Sequence, residues 1–130
     1  MNWSEIKNFK PEEFDSPDIL GSGEIFMSLE FMYLLDKLRT RVDQPLRINS
    51  GYRTQAHHDK IYKDHLPAPN SAHLRGLAAD ISCEDSKLRY LILKNAFQLN
   101  FNRIEVAPHH IHLDIDPSLP QDVVIFLEKY

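Results

Sequence analysis

From His110 to Ile115 the chain reads HIHLDI, an unbroken alternation of ionisable and aliphatic side chains. A helix would scatter these residues around its circumference. A strand, with its side-chain period of two, sends His110, His112 and Asp114 to one face and Ile111, Leu113 and Ile115 to the other. The chain is therefore expected to build a sheet with one apolar and one polar face. The stretch LAADIS, beginning just after Gly76, sorts in the same way: Leu77, Ala79 and Ile81 point one way, Ala78, Asp80 and Ser82 the other. Asp80 thus leaves a hydrophobic strand on a face of small side chains, where a carboxylate is costly to bury without a partner.

Further strands are expected at PLRINS (45–50), NRIEVA (102–107) and DVVIFLE (122–128), with turns at Pro108 and at DPSLPQ between the last three strands. Between them the hydrophobic period changes. Met27, Phe31, Leu34, Leu35, Leu38 and Val42 recur at helical spacing, with Glu30, Asp36, Lys37 and Arg41 off the stripe, which predicts an amphipathic helix over about 27–42. A polar helix over about 55–64 has Thr54 as its candidate N-cap, and a third, over 86–99, has Ser86 near the cap position and Leu88, Leu91, Ile92 and Leu99 facing inward. Residues 1–24 read as an irregular arm tethered by Trp3, Ile6, Phe9 and Phe14. Helices and strands mix without a βαβ rhythm, so the expectation is one α+β domain over 1–130, a small, mainly antiparallel sheet with flanking helices.

A formal net charge of −4 over 130 residues gives no general attraction to nucleic acid. The longest apolar stretches, near 26–38 and 88–99, carry charges and fall short of the roughly 20 residues of a membrane span. The start, MNWSEIKNFKPEEF, lacks the pattern of a secretory signal, so synthesis in the cytoplasm is expected. Cys83 is the single cysteine, which excludes an internal disulfide and a CxxC metal knuckle. The expected state is a monomer.

Taken alone, an HxH is most simply the wet face of an antiparallel strand. Combination with His73 and Asp80 changes the weighing, because Gly76 permits a turn that swings His73 back over the strand bearing Asp80. Two histidines and one carboxylate drawn from separate segments, His73 and Asp80 with a histidine of the HxH strand, and leaving a position open, are the kind of ligand set found in a catalytic zinc site holding one ion. Non-haem iron(II) oxygenases use the same triad, but their HxD ordinarily precedes the distant histidine, whereas HLD here lies near the C-terminus. No HExxH helix occurs, so a thermolysin-like arrangement is excluded.

The elements INSGYRT, NSAHLRGLAADI and HIHLDI, in that order, resemble the M15 metallopeptidases, which include zinc D-Ala-D-Ala carboxypeptidases and cell-wall endopeptidases. The similarity is greatest to short, phage-type members, and it extends to FKPEEFDSPD and the C-terminal strand. It implies a Hedgehog/DD-peptidase-like fold, zinc held by His73, Asp80 and His112, and Arg53 of SGYR at the active site, meeting a substrate carboxylate or the developing oxyanion. Several branches place an acid or a histidine two or three positions before the last ligand. His110 has the better parity for a general base, His109 would need Pro108 to reorient it, and Glu105 on the preceding strand is a further candidate. Asp114 is expected to orient a ligand histidine, Ser71 to hydrogen-bond in the site or shape the loop, and His57, His58 and His65 to lie at the surface.

The activity implied is hydrolysis of peptide bonds next to D-amino acids in peptidoglycan, as a carboxypeptidase or an endopeptidase. Without a signal peptide, such a protein would reach the wall through a phage lysis system or on a virion. The rival is a non-catalytic module of the same fold that binds zinc and a wall peptide or protein partner.

Overall fold

The computed structural model describes residues 1–128. Five strands form a mixed sheet in the order β1-β2-β4-β3-β5: β1 (Ile48–Ser50), β2 (Ala78–Ser82), β3 (Arg103–Val106), β4 (His110–Asp114) and β5 (Val123–Phe126). Three of the four pairings are antiparallel, and the exception is β5, which runs parallel to β3. The helices are α1 (Ser22–Phe26), α2 (Leu29–Val42), α3 (Gln55–Ile61) and α4 (Ser86–Gln98). The α+β expectation holds, and no helix among the described residues is long and apolar enough to cross a membrane.

The sorting of side chains by strand parity decides which face is dry. Ala79 and Ile81 of β2, Ile111 and Leu113 of β4 and Ile104 of β3 join one buried cluster with Phe31, Leu35 and Leu38 of α2 and Ile92 and Ala96 of α4. Phe31 meets Phe101 edge to face across this core, with ring centroids 6.0 Å apart. The opposite face carries the ionisable residues. Buried side chains such as Phe31 and Leu35 each contribute about 1.5–3 kcal/mol by leaving water, so the dry face holds the sheet in place for the wet one.

Element ends differ from the sequence expectation for local reasons. Helix α2 begins at Leu29, after Met27, because the Ser28 hydroxyl accepts from the Phe31 amide and caps it. Asp36 lies off the apolar stripe yet is buried: its carboxylate accepts from the backbone amides of Lys7 and Asn8, at 3.0 and 2.9 Å, and so ties down the N-terminal arm. That arm is more regular than expected. It holds two short 3-10 turns (Trp3–Glu5 and Pro11–Phe14) and runs into α1. Thr54 caps α3 as expected, accepting from the His57 amide at 3.1 Å, but that helix stops at Ile61. Asp85 rather than Ser86 caps α4, accepting from the Leu88 amide at 2.8 Å.

Gly76 terminates a 3-10 turn, Ala72–Arg75, with φ of 67°, a left-handed conformation that costs glycine nothing. A Cβ there would lie 1.9 Å from the Phe26 carbonyl oxygen, so both torsion and space exclude a side chain. Gly76→Ala should destabilise the protein by about 2 kcal/mol or more, combining left-handed strain with displacement of a packed backbone. Urea unfolding followed by circular dichroism measures this, and a change within experimental error would show that the turn is not constrained as described.

Candidate metal centre

The β2–β4 pairing sets Asp80 opposite His112, Ala78 opposite Asp114 and Ser82 opposite His110. Partners across an antiparallel pair project from the same face, so the register alone brings Asp80 and His112 together. His73 arrives from the Ala72–Arg75 turn, where the Ser71 hydroxyl accepts from the His73 amide at 3.2 Å and Gly76 redirects the chain into β2. All three side chains are buried.

Their orientation follows from what the far side of each ring meets. His73 Nδ1 is 2.7 Å from the Gly51 carbonyl oxygen, which can only accept, so Nδ1 carries the proton and Nε2 presents a lone pair. His112 Nε2 donates to Asp114 Oδ2 at 2.6 Å, leaving Nδ1 for the site. His73 Nε2 lies 3.2 Å from Asp80 Oδ1 and 3.2 Å from His112 Nδ1, and His112 Nδ1 lies 2.9 Å from Asp80 Oδ1. Three acceptors thus converge, with one ligand atom from each residue within 4.8 Å of the others. Such a cluster is repulsive without a cation at its centre. Two imidazole nitrogens and one carboxylate oxygen fit a zinc or iron(II) ion with further positions open.

The electrostatics agree. For His73, burial outweighs the pull of Asp80, and the imidazole titrates below its usual range. For His112, burial again opposes the charge. The hydrogen bonds to Asp114 and Asp80 and the charges of Asp80 and Glu105 nevertheless push the group up to about 10. Burial works against the charge on Asp80 too, yet the two histidines hold its carboxyl well below 3.8. Around neutral pH, therefore, the metal-free site holds one proton, on His112, and a metal ion must displace it. Because the proton leaves as pH rises, apparent affinity for a divalent metal should increase about tenfold per pH unit from neutrality towards pH 9. Calorimetry in two buffers of different ionisation enthalpy should report about one proton released per ion bound; no release would show that His112 is already neutral.

Asp114 is fully buried; besides accepting from His112 it accepts from the Asp116 amide at 3.1 Å and faces Arg103 Nε at 3.4 Å. Its carboxylate thus fixes the His112 tautomer from behind and leaves the metal to other atoms. Asp114→Asn should weaken metal binding about 10- to 100-fold while the protein stays folded, measured by chelator competition.

Arg53 stands beside the three ligands. Its backbone amide donates to the His73 carbonyl at 3.0 Å, Nη2 donates to Asp80 Oδ2 at 3.2 Å, and Nε donates to Ser50 Oγ at 3.0 Å. A cleft of about 570 Å³ opens over the site, with Tyr62, Asn70, Ser71, Glu105 and His110 among its walls. Glu105 is the cross-strand partner of His112 and holds Arg103 Nη2 at 3.3 Å. His110 lies on the same face, two residues along β4. His109 is not brought to the cleft: it is an exposed turn residue whose Nδ1 sits 2.9 Å from Glu84 Oε1.

Two residues near the site were not singled out from the sequence as part of it. His58, expected at the surface, is fully buried, with Nε2 2.8 Å from the Pro69 carbonyl oxygen and Nδ1 3.3 Å from Arg53 Nη1. The available signal was the Thr54 cap, since a helix starting there stacks residue 58 one turn above it, beside Arg53. Arg103 shares a strand face with Glu105 by the alternation of RIE, and it reaches both Glu105 and Asp114.

The family model described as Peptidase M15 matches residues 7–114, a span that contains Arg53 and all three candidate ligands. Among curated proteins, none matches the chain.

Proposed function

The chain belongs to the peptidase M15 family, and from that premise we propose that it is a zinc-dependent peptidase that hydrolyses bonds next to D-amino acids in peptidoglycan, as a carboxypeptidase or an endopeptidase. The observation that carries this reading is the convergence of His73 Nε2, Asp80 Oδ1 and His112 Nδ1 at the floor of an open cleft beside an arginine. Bound there, zinc supplies a Lewis acid that polarises the scissile carbonyl and acidifies the attacking water.

The chain's own groups supply the rest. Arg53 offers donors to the oxygen on which charge develops, or to a free terminal carboxylate, in a part-buried site where such a charge-assisted bond is strengthened. The proton of the attacking water needs an acceptor in the cleft. Glu105, directly across the ladder from His112, is about 5 Å away backbone to backbone, whereas His110 is two residues along β4, about 7 Å. Glu105 is the longer side chain on the shorter path, and we assign it the general-base role, with His110 second. Ser71 and Asn70 line the cleft wall and, in this reading, bind the peptide backbone of the substrate. In this reading the protein works as a monomer, on walls made accessible by a phage lysis system or from a virion.

Incubation with purified peptidoglycan, followed by mass analysis of the released fragments, tests the proposal. Free D-Ala would mark a carboxypeptidase, and cut stems or cross-bridges an endopeptidase. His73→Ala and chelation should abolish release. Glu105→Gln should lower kcat by about 10²–10⁴ with metal affinity retained, and His110→Ala should cost less. Tight zinc binding without any release would favour the non-catalytic module, and a larger loss in His110→Ala than in Glu105→Gln would exchange their roles.

A further inference from the structure

A histidine with no exposed surface, two polar partners and no part in the reaction described above calls for a reason. His58 sits in the first turns of α3 with its ring tilted against Tyr62, centroids 4.9 Å apart. Its two nitrogens meet groups of opposite and fixed character. The Pro69 carbonyl oxygen, 2.8 Å from Nε2, can only accept, so Nε2 bears the proton. The Arg53 guanidinium, with Nη1 3.3 Å from Nδ1, can only donate, so Nδ1 bears the lone pair. The ring is therefore held in one neutral tautomer by its surroundings, and its acceptor is spent on Arg53.

The consequence lies in the donors of Arg53. A guanidinium has five N–H groups in a rigid fork. Nε is committed to Ser50 Oγ, one Nη2 hydrogen to Asp80 Oδ2 and one Nη1 hydrogen to His58 Nδ1. One N–H remains on each terminal nitrogen, available to a carboxylate or a developing oxyanion. Ser50 and Asp80 hold one side of the fork, and His58 is the contact that fixes the other. Through Pro69 the same ring ties Arg53 to the segment carrying Asn70 and Ser71 on the cleft wall.

We propose that His58 is the positioning residue for Arg53: its neutral Nε2–H tautomer, anchored on the Pro69 carbonyl, fixes the guanidinium so that two donors are aimed at the substrate. This rests on the peptidase reading for its catalytic consequence, but the geometry itself can be tested without turnover.

Two variants separate the two contacts. Asn places an amide oxygen where Nδ1 lies and is too short to reach Pro69; Gln places an amide N–H where Nε2 lies and gives up the acceptor towards Arg53. His58→Gln should keep its melting temperature and metal affinity yet lose about 10- to 100-fold in kcat/KM on the wall peptide the wild type cleaves, whereas His58→Asn should recover most of it. A Gln variant as active as wild type, or an Asn variant as impaired as Gln, would overturn the proposal and leave His58 a loop anchor only. Nitrogen-15 spectra supply the readout independent of activity. The wild-type His58 ring should be the Nε2–H tautomer, and the Arg53 terminal N–H groups should exchange more slowly with water in wild type and His58→Asn than in His58→Gln. An Nδ1–H tautomer, or equal exchange in all three proteins, would refute the positioning role. A wild type with no activity on any wall peptide would count against the peptidase reading and leave His58 to be judged on these spectra.

Discussion

Buried acceptors about 3 Å apart repel one another, and the polar face of this sheet is organised around that constraint. His73 Nε2, His112 Nδ1 and Asp80 Oδ1 face each other because every alternative orientation has been taken away: Gly51 and Asp114 hold the far nitrogens of the two rings. A cation must occupy the centre, either a proton at a strongly basic His112 or a metal ion that displaces it. The proton already relieves the repulsion around neutral pH, so a metal ion would be bound in competition with the basicity of His112.

The same strand pair builds both the site and the core. Along β2 and β4, Asp80 faces His112 on one side of the sheet, while Ala79 pairs with Leu113 and Ile81 with Ile111 on the other. A slip of one residue would send the ligands into the hydrophobic cluster and the aliphatic side chains into the cleft, so the register is fixed by the cost of both errors. The N-terminal arm extends this support to the Gly51–Arg53 segment. The Tyr52 amide donates to the Phe14 carbonyl at 2.9 Å, the Thr54 amide donates to Ser16 Oγ at 3.1 Å, and Phe14 is fully buried beneath them. The loop that holds His73 from behind and carries Arg53 is thus itself held by residues some 40 positions earlier in the chain.

What could be read from the sequence was what strand parity and helix period encode. HIHLDI and LAADIS declared their faces, while the choice of His112 from a face it shares with His110 and Asp114 came from the resemblance to the M15 pattern; α2, α3 and α4 were visible by their stripes and by the Thr54 cap. What stayed hidden depended on partners distant in sequence. Asp36 looked like a solvent-facing residue because its partners, the amides of Lys7 and Asn8, belong to an arm with no periodicity of its own. His58 looked like one of several polar residues on a polar helix because Pro69 and Arg53 reach it only in three dimensions. The parallel alignment of β5 with β3 is a matter of topology, which alternation does not carry.

The charges around the site would suit a divalent ion better than a proton. Asp80, Asp114 and Glu105 contribute three carboxylates, and Arg53 and Arg103 two guanidiniums, so the neutral-histidine site carries one net negative charge. A single proton at His112 only neutralises it. A divalent ion reverses the sign to one net positive charge, in a face where low solvent access strengthens each interaction. On the proposed function, an anionic substrate terminus, or the negative charge that gathers on a carbonyl oxygen during attack, would then meet a site of complementary sign, with the arginines already neutralised by carboxylates of the fold. Arg103 also lines the cleft but spends its positive charge on Asp114 and Glu105, whereas Arg53 keeps one N–H free on each terminal nitrogen. In the proposed reading, that division leaves one guanidinium beside the Asp114 that orients His112 and the other open to substrate, so that a cluster of buried acids would become an electrophilic site once a metal ion is bound.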